Sequence, residues 1–171
     1  MTVTMIEYPY DNDWIEVKRR ALVTCGKEIK NPPTIEWKHA ILEARHSPIR
    51  RLFFSFLIED IPYWLTNELC RHHVGCEKYV RSQRNDRQKK YNRNKAPQDA
   101  PVDMILDCNA ESLMVMMNKR LCGQARPEMR LLMAEMKAKV LELFPEFEGL
   151  LVPACEYNGR CHEMHPCKEV E

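Results

Sequence analysis

The segment that most constrains the fold is RLFFSFLIE, residues 51–59. It is too short for a stable helix and too rich in aromatic and branched residues to face water, so it predicts a buried strand. Pro62 then suits the first turn of a helix running to about Arg71. The stretch VTMIEYP (3–9) reads as an opening strand ended by Pro9. Asp13 is placed to cap a helix through about Cys25, with Trp14, Val17, Ala21 and Leu22 on one face. After NPP (31–33), a second helix over about 34–45 is expected to carry Trp37, Ala40, Ile41 and Ala44 inward. KAPQDAP (95–101) reads as a loop, followed by a helix over about 109–122. Its Met114, Met117 and Leu121 recur at helical spacing and belong to a core. Pro127 opens a last long helix with Met129, Leu132, Met133, Met136 and Val140 inward, and Pro145 closes it. Few strands and several helices, not in strict alternation, give an α+β fold class.

A chain of 171 residues is enough for one domain with a real core. We divide it into a single domain over 1–152 and a Cys/His-rich tail over 153–171. No apolar run approaches the ~18 residues of a membrane span. Glu7, Asp11, Asp13 and Glu16 in the first 20 residues argue against a secretory signal. A cytoplasmic location follows as the expectation, with the eight cysteines reduced.

Net charge is close to zero, yet residues 71–95 hold nine Lys/Arg against two acids, Glu77 and Asp86. A local positive field in a near-neutral protein suits a confined anionic ligand better than a long polyanion. Residues 87–95 by themselves read as a solvated basic loop. Within RSQR, an extended backbone would put Ser82 and Arg84 on one face, where a hydroxyl and a guanidinium fork suit a phosphate. Asn109 stands at a helix start, placed to cap it or to grip a ligand. Arg120 stands at the far end of the same Met-rich helix, and a buried arginine needs a partner. An internal acid such as Glu128 or a bound anion would serve. In the tail, Cys155, Cys161, His162, His165 and Cys167 are zinc-type ligands at close spacing. No paired C-x2-C knuckle accompanies them, so the match to a zinc site is loose, and the alternative is reduced thiols on a flexible tail.

Three segments in order resemble the flavin-dependent thymidylate synthases. RHSPIRRLFFSFLIEDIPYWLTNELCRHH is similar to that family's strand and helix ending in Arg-His-Arg. RHHVGCEKYVRSQR resembles its signature, with Ser-x-Arg falling on Ser82 and Arg84 after one inserted residue. NAESLMVMMNKRLCGQARPEMR follows its Asn-Ala-Arg-Ser-Leu-Met…Asn-x-Arg block. The resemblance spans about residues 40–145. It implies an α+β fold with a small central antiparallel sheet, and a homotetramer with active sites at subunit interfaces. It further implies binding of FAD and dUMP, methylene transfer from methylenetetrahydrofolate, reduction by flavin hydride, and flavin re-reduction by NADPH. By the same resemblance Glu68, Arg71, Ser82, Arg84 and Arg120 would contact dUMP, with Arg120 as the catalytic group against the uracil. Ser47, Arg71, His72, His73, Asn109 and Glu111 would contact FAD.

The chain also departs from that pattern. Arg-His-Arg is Arg71-His72-His73, the upstream Glu-His is Arg50-Arg51, and a glutamine before the signature is Glu68. The signature Asn-Glu is missing, the arginine after Asn-Ala is Glu111, and a later asparagine is Val115. Only 24 residues separate Arg84 from Asn109, where the family carries a longer helical excursion. Two further readings therefore stand beside the enzyme. One is a non-catalytic or substrate-shifted relative that binds nucleotide or flavin. The other is a nucleic-acid module built on residues 71–95, which the scarcity of aromatics beyond Tyr79 and Tyr91 disfavours.

Overall fold

The computed structural model describes residues 1–84, 86–87 and 92–167. Tyr91 and residues 88–90 of the expected solvated loop lie outside the described residues, as do residues 168–171 of the tail. Four strands, β1 (Thr2–Glu7), β2 (Phe53–Pro62), β3 (Cys76–Val80) and β4 (Pro101–Asn109), form one antiparallel sheet in the order β1-β2-β4-β3. The helices are α1 (Asp11–Val23), α2 (Ile35–Glu43), α3 (Tyr63–Cys70), α4 (Ala110–Arg120), α5 (Pro127–Leu143) and α6 (Ala154–Asn158). Short 3-10 turns occupy Ser47–Arg51 and Pro145–Phe147. This is the α+β architecture expected.

Strand register decides which side chains enter the core. Val3 pairs with Ile58, Ile58 with Met104 and Met104 with Val80; Phe56 pairs with Leu106, and Phe54 with Cys108. Paired residues of antiparallel strands point to the same face, so these residues share one surface. Phe54, Phe56, Ile58, Met104, Leu106 and Cys108 on it are all buried. The ring of Phe54 meets Phe144 and Phe147 edge-on at centroid distances of 5.6 and 5.7 Å. The opposite face carries half-buried Leu57 and Ile105 and exposed Tyr79. A sheet covered on one side gives the period-2 pattern. Between Ile58 and Ile61 the β2–β4 register shifts, and Asp60 there takes a φ of 56°. Its N–H donates to Asp103 Oδ1 at 3.1 Å.

Several expectations need correction. β3 and β4 were not foreseen: residues 101–109 form a strand rather than a loop leading into a helix. The first helix begins at Asp11, and Asp13 acts from inside it by accepting the Tyr10 N–H at 3.0 Å. Ala40 and Ala44 are exposed, while Ile41 and Leu42 carry the buried face of α2. The methionines of α4 and α5 are core as expected: Met114, Met117, Met129, Met133 and Met136 are fully buried.

The passage from β4 into α4 sets the position of Arg120. Asn109 ends the strand and caps the helix, accepting the Ser112 N–H on Oδ1 at 2.9 Å. Its own N–H donates to the Gly75 carbonyl at 3.0 Å, and Ser112 Oγ donates to the Val74 carbonyl at 2.6 Å. The loop before β3 is thereby tied to the start of α4. Gly75 sits there with φ +67°, and a Cβ on it would meet Asn109 Nδ2 and Ser112 Oγ at 2.3 Å. No side chain fits that approach. At ~1.5 Å per residue, α4 then runs through the core for three turns and delivers Arg120 at its far end.

Candidate functional site

Arg120 meets the carboxyl end of α3. Its Nη2 donates to the Glu68 carbonyl oxygen at 2.8 Å, and Nη1 to Glu68 Oε2 at 3.1 Å. That carbonyl lies in the last turn of α3, where helix carbonyls lack intrahelical partners. Nε donates to His72 Nε2 at 2.9 Å. The partner of Arg120 is therefore Glu68, not Glu128. Glu68 is shared: Arg126 Nε lies 3.6 Å from its Oε1, and the Arg126 guanidinium stacks 4.8 Å from the Trp64 ring centroid. Three of the five guanidinium N–H groups of Arg120 are engaged, and two have no hydrogen-bond partner among the described residues.

Electrostatics follow from this packing. Burial lowers the Arg120 pKa, Glu68 opposes that, and Arg71 adds to it by like-charge repulsion. Burial, then the charges of Arg120, Lys78 and His73, bring His72 down to about 4. His72 is consequently neutral at pH 7. Its Nε2 accepts from Arg120, so its proton resides on Nδ1. Lys78 points along the core face of β3 and donates to the carbonyls of His72 and of Cys76, the latter at 3.3 Å. This fixes the backbone that presents the imidazole.

The structure brings together Glu68, His72 and Arg120, with Arg71 at the exposed end of α3 beside them. His73 follows on the surface, its Nδ1 3.1 Å from the Arg71 carbonyl oxygen. Within one chain Ser82 and Arg84 bond to neither Arg120 nor Glu68. Arg84 forks onto Asp86, with Nε–Oδ1 at 3.0 Å and Nη2–Oδ2 at 2.8 Å, and its N–H donates to Ser82 Oγ at 3.3 Å. Asn109 spends its amide oxygen on the helix cap. Glu111 is paired with Arg50 through Nε–Oε2 and, at 3.4 Å, Nη2–Oε1. Ser47 lies elsewhere, on a 370 Å³ groove between α1 and α2 floored by Trp37 and Ile41.

Sequence reasoning missed Arg126, Trp64 and Lys78. Arg126 and Glu68 are distant in the chain, and no spacing rule links them. Lys78 carried a faint signal, a lysine at an inward position of a short alternating strand. Among the described residues, no three His, Cys, Asp or Glu side chains already stand together as a metal site. No helix among them is long and apolar enough to cross a membrane.

Comparisons with known proteins agree on the fold, and a family model matches part of the chain. Residues 85–146 match the family model described as thymidylate synthase complementing protein. No curated protein matches the chain in sequence. Among solved structures, thymidylate synthase X from Helicobacter pylori with FAD and dUMP matches with a TM-score of 0.70 at 17% identity, over 88% of this chain and 99% of that one. The UMP/dUMP methylase PolB from Streptomyces cacaoi bound with 5-Br dUMP matches with a TM-score of 0.66 at 15% identity, over 88% and 96%. The sequence match to that family model is confined to residues 85–146, and the fold is shared with these solved structures over 88% of the chain.

Proposed function

We propose that this chain is a compact flavin-dependent thymidylate synthase-like enzyme that methylates dUMP or a closely related pyrimidine nucleotide. The observation that carries the proposal is Arg120: a guanidinium held rigid at the end of a buried helix, with two N–H groups unspent. Such a group, placed against a pyrimidine carbonyl, stabilises negative charge developing on the ring. Its low-dielectric surroundings strengthen the effect. Glu68 and neutral His72 orient it. At the rim, exposed Arg71 gives a cation and exposed His73 a ring nitrogen for nucleotide or cofactor phosphates.

FAD fits the rim residues Arg71 and His73. It fits Asn109 and Glu111 less well, because both are already committed to intramolecular partners. Bound FAD would supply the hydride that reduces a methylene group taken from methylenetetrahydrofolate, with NADPH as the source of electrons. We further propose a homo-oligomer in which Ser82 and Arg84 of a neighbouring copy complete the site. Two features support that: among the described residues neither residue bonds to Arg120 within one chain, and the Arg84–Asp86 pair is solvent-exposed and cheap to exchange for a phosphate.

The test is the absorbance spectrum of purified protein on titration with FAD, followed by tritium release from 5-labelled dUMP with methylenetetrahydrofolate and NADPH. We expect flavin uptake, and turnover that Arg120→Ala abolishes with a smaller loss of dUMP binding. Protein that takes up no flavin and releases no tritium overturns the reading. The second reading, a binding relative without turnover, is favoured by one observation: Glu68 places a carboxylate 3.1 Å from the group meant to face the base. It predicts nucleotide binding with no tritium release.

A further inference from the structure

Cys76 on β3 and Cys108 on β4 stand directly opposite each other. The ladder bonds around them fix the kind of pair they form. The Asn109 N–H donates to the Gly75 carbonyl at 3.0 Å, and the Arg81 N–H to the Asp103 carbonyl at 2.9 Å. Hydrogen-bonded and non-hydrogen-bonded pairs alternate along antiparallel strands. Cys76–Cys108, one step in from Gly75–Asn109, is therefore a non-hydrogen-bonded pair. Such pairs hold their Cα atoms about 4.5 Å apart, with side chains on the same face and close together. A disulfide spans Cα separations of about 4.4–6.8 Å, so neither strand has to move to form one. Both thiols are free, and they are hydrogen-bonded to each other.

We propose that Cys76 and Cys108 are a peroxide-sensitive thiol pair that closes to a cross-strand disulfide. Cys76 is the attacking sulfur, because it keeps 5% of its surface exposed while Cys108 keeps none. The bond from Cys108, with the Lys78 ammonium held beside it on the Cys76 carbonyl, keeps the Cys76 thiol below the ordinary range against its burial. The bond to Cys76 and complete burial push Cys108 up, so it stays protonated. In the first step the Cys76 thiolate attacks a peroxide oxygen. An S–O bond forms, the O–O bond breaks, and the departing hydroxide takes a proton to become water. In the second step the Cys108 sulfur attacks the Cys76 sulfenic sulfur. The S–S bond forms, the S–O bond breaks, and a second water leaves with the Cys108 proton. Two thiols lose two electrons, and one hydrogen peroxide is reduced to two waters. The reaction needs neither flavin nor nucleotide. The new bond sits next to Gly75 and the Asn109 cap, and ties the loop after α3 covalently to the strand that leads into α4.

The test starts from full-length protein that has been reduced, freed of reductant and treated with hydrogen peroxide. After alkylation in denaturant and digestion, mass spectrometry should find the Cys76 peptide joined to the Cys108 peptide as the main linkage. Dithiothreitol should reverse it. The urea midpoint should rise on oxidation and return on reduction, since a cross-link restricts the unfolded chain. In Cys108→Ala, Cys76 lacks a resolving partner, so dimedone should capture a sulfenic acid there. In Cys76→Ala, Cys108 should stay reduced and peroxide should leave the midpoint unchanged. The wild-type peptide map stands without either variant should one of them unfold, which circular dichroism reports. No Cys76–Cys108 linkage at peroxide doses that oxidise exposed Cys25, scrambled linkages in the folded protein, or a linkage that leaves the midpoint unmoved overturns the proposal.

Discussion

His72 owes its low pKa to burial and to the three cations around it, Arg120 first. The folded value of about 4 lies below the ordinary 6.5, so between those values the unfolded chain binds the extra proton. Stability contributed by neutral His72 is complete above about pH 6.5 and falls as pH drops towards about 4. His72→Gln keeps an acceptor for Arg120 Nε but cannot titrate. Its urea midpoint should therefore decline less than wild type between pH 7 and 4, and parallel curves would refute this account. Gly75 makes a second residue-level prediction. Gly75→Ala places a methyl group into Asn109 and Ser112 at a positive φ, so it should destabilise by more than about 1 kcal/mol in denaturant melts. That Arg120 needed a partner was legible in the sequence. That the partner is Glu68, 52 positions away, was not, because ion pairs between separate elements follow no spacing rule. Arg84 illustrates the converse: the RSQR pattern suggested a ligand fork, and an aspartate two residues on closes that fork locally.

At the level of elements, periodicity was readable where the core is uninterrupted. α5 buries Met129, Leu132, Met133, Met136 and Val140, the stripe its spacing announced. Met133→Ala should cost about 2–5 kcal/mol, whereas Leu131→Ala, on the 61% exposed side, should stay within about 0.5 kcal/mol. Equal effects in thermal or urea unfolding would show that α5 does not pack by this face. β3 and β4 escaped for separate physical reasons. β3 places Lys78 among its inward positions because its ammonium is satisfied by the His72 and Cys76 carbonyls, and a lysine there breaks the apolar alternation. β4 alternates Val102, Met104, Leu106 and Cys108 inward. It passes into α4 at Asn109 without a turn, so the strand borrowed the look of a helix entrance. Ala40 and Ala44, expected inward, fall outside the buried face. α2 buries only Ile41 and Leu42, a narrower face suited to a peripheral helix.

Across the whole molecule, the cations of the candidate site fall in two places. Arg71, Arg120 and Arg126 gather around Glu68, while Arg81 and Arg84 extend along the segment after β3, paired with Asp103 and Asp86. Apart from Arg126, both sets belong to the one charge-rich stretch and the one helix that the sequence singled out, yet within one chain they pair with different acids. On the proposed function, the base-facing guanidinium and the phosphate-holding fork come together when two copies share the site. This leads to a subunit-mixing experiment. On the proposed function Arg120→Ala would lack the base contact and Arg84→Ala the phosphate contact, so each should be nearly inactive alone. Arg84 has its side chain 65% exposed, so its loss should leave folding intact. Unfolded and refolded together, the two variants should form mixed assemblies in which some sites receive Arg120 from one chain and Arg84 from the other. Those sites are intact, so the mixture should recover tritium release that neither variant shows. Purely additive activity in the co-refolded mixture would mean that each chain builds its site unaided. Arg84 would then have to leave Asp86 and cross to Arg120 within its own chain.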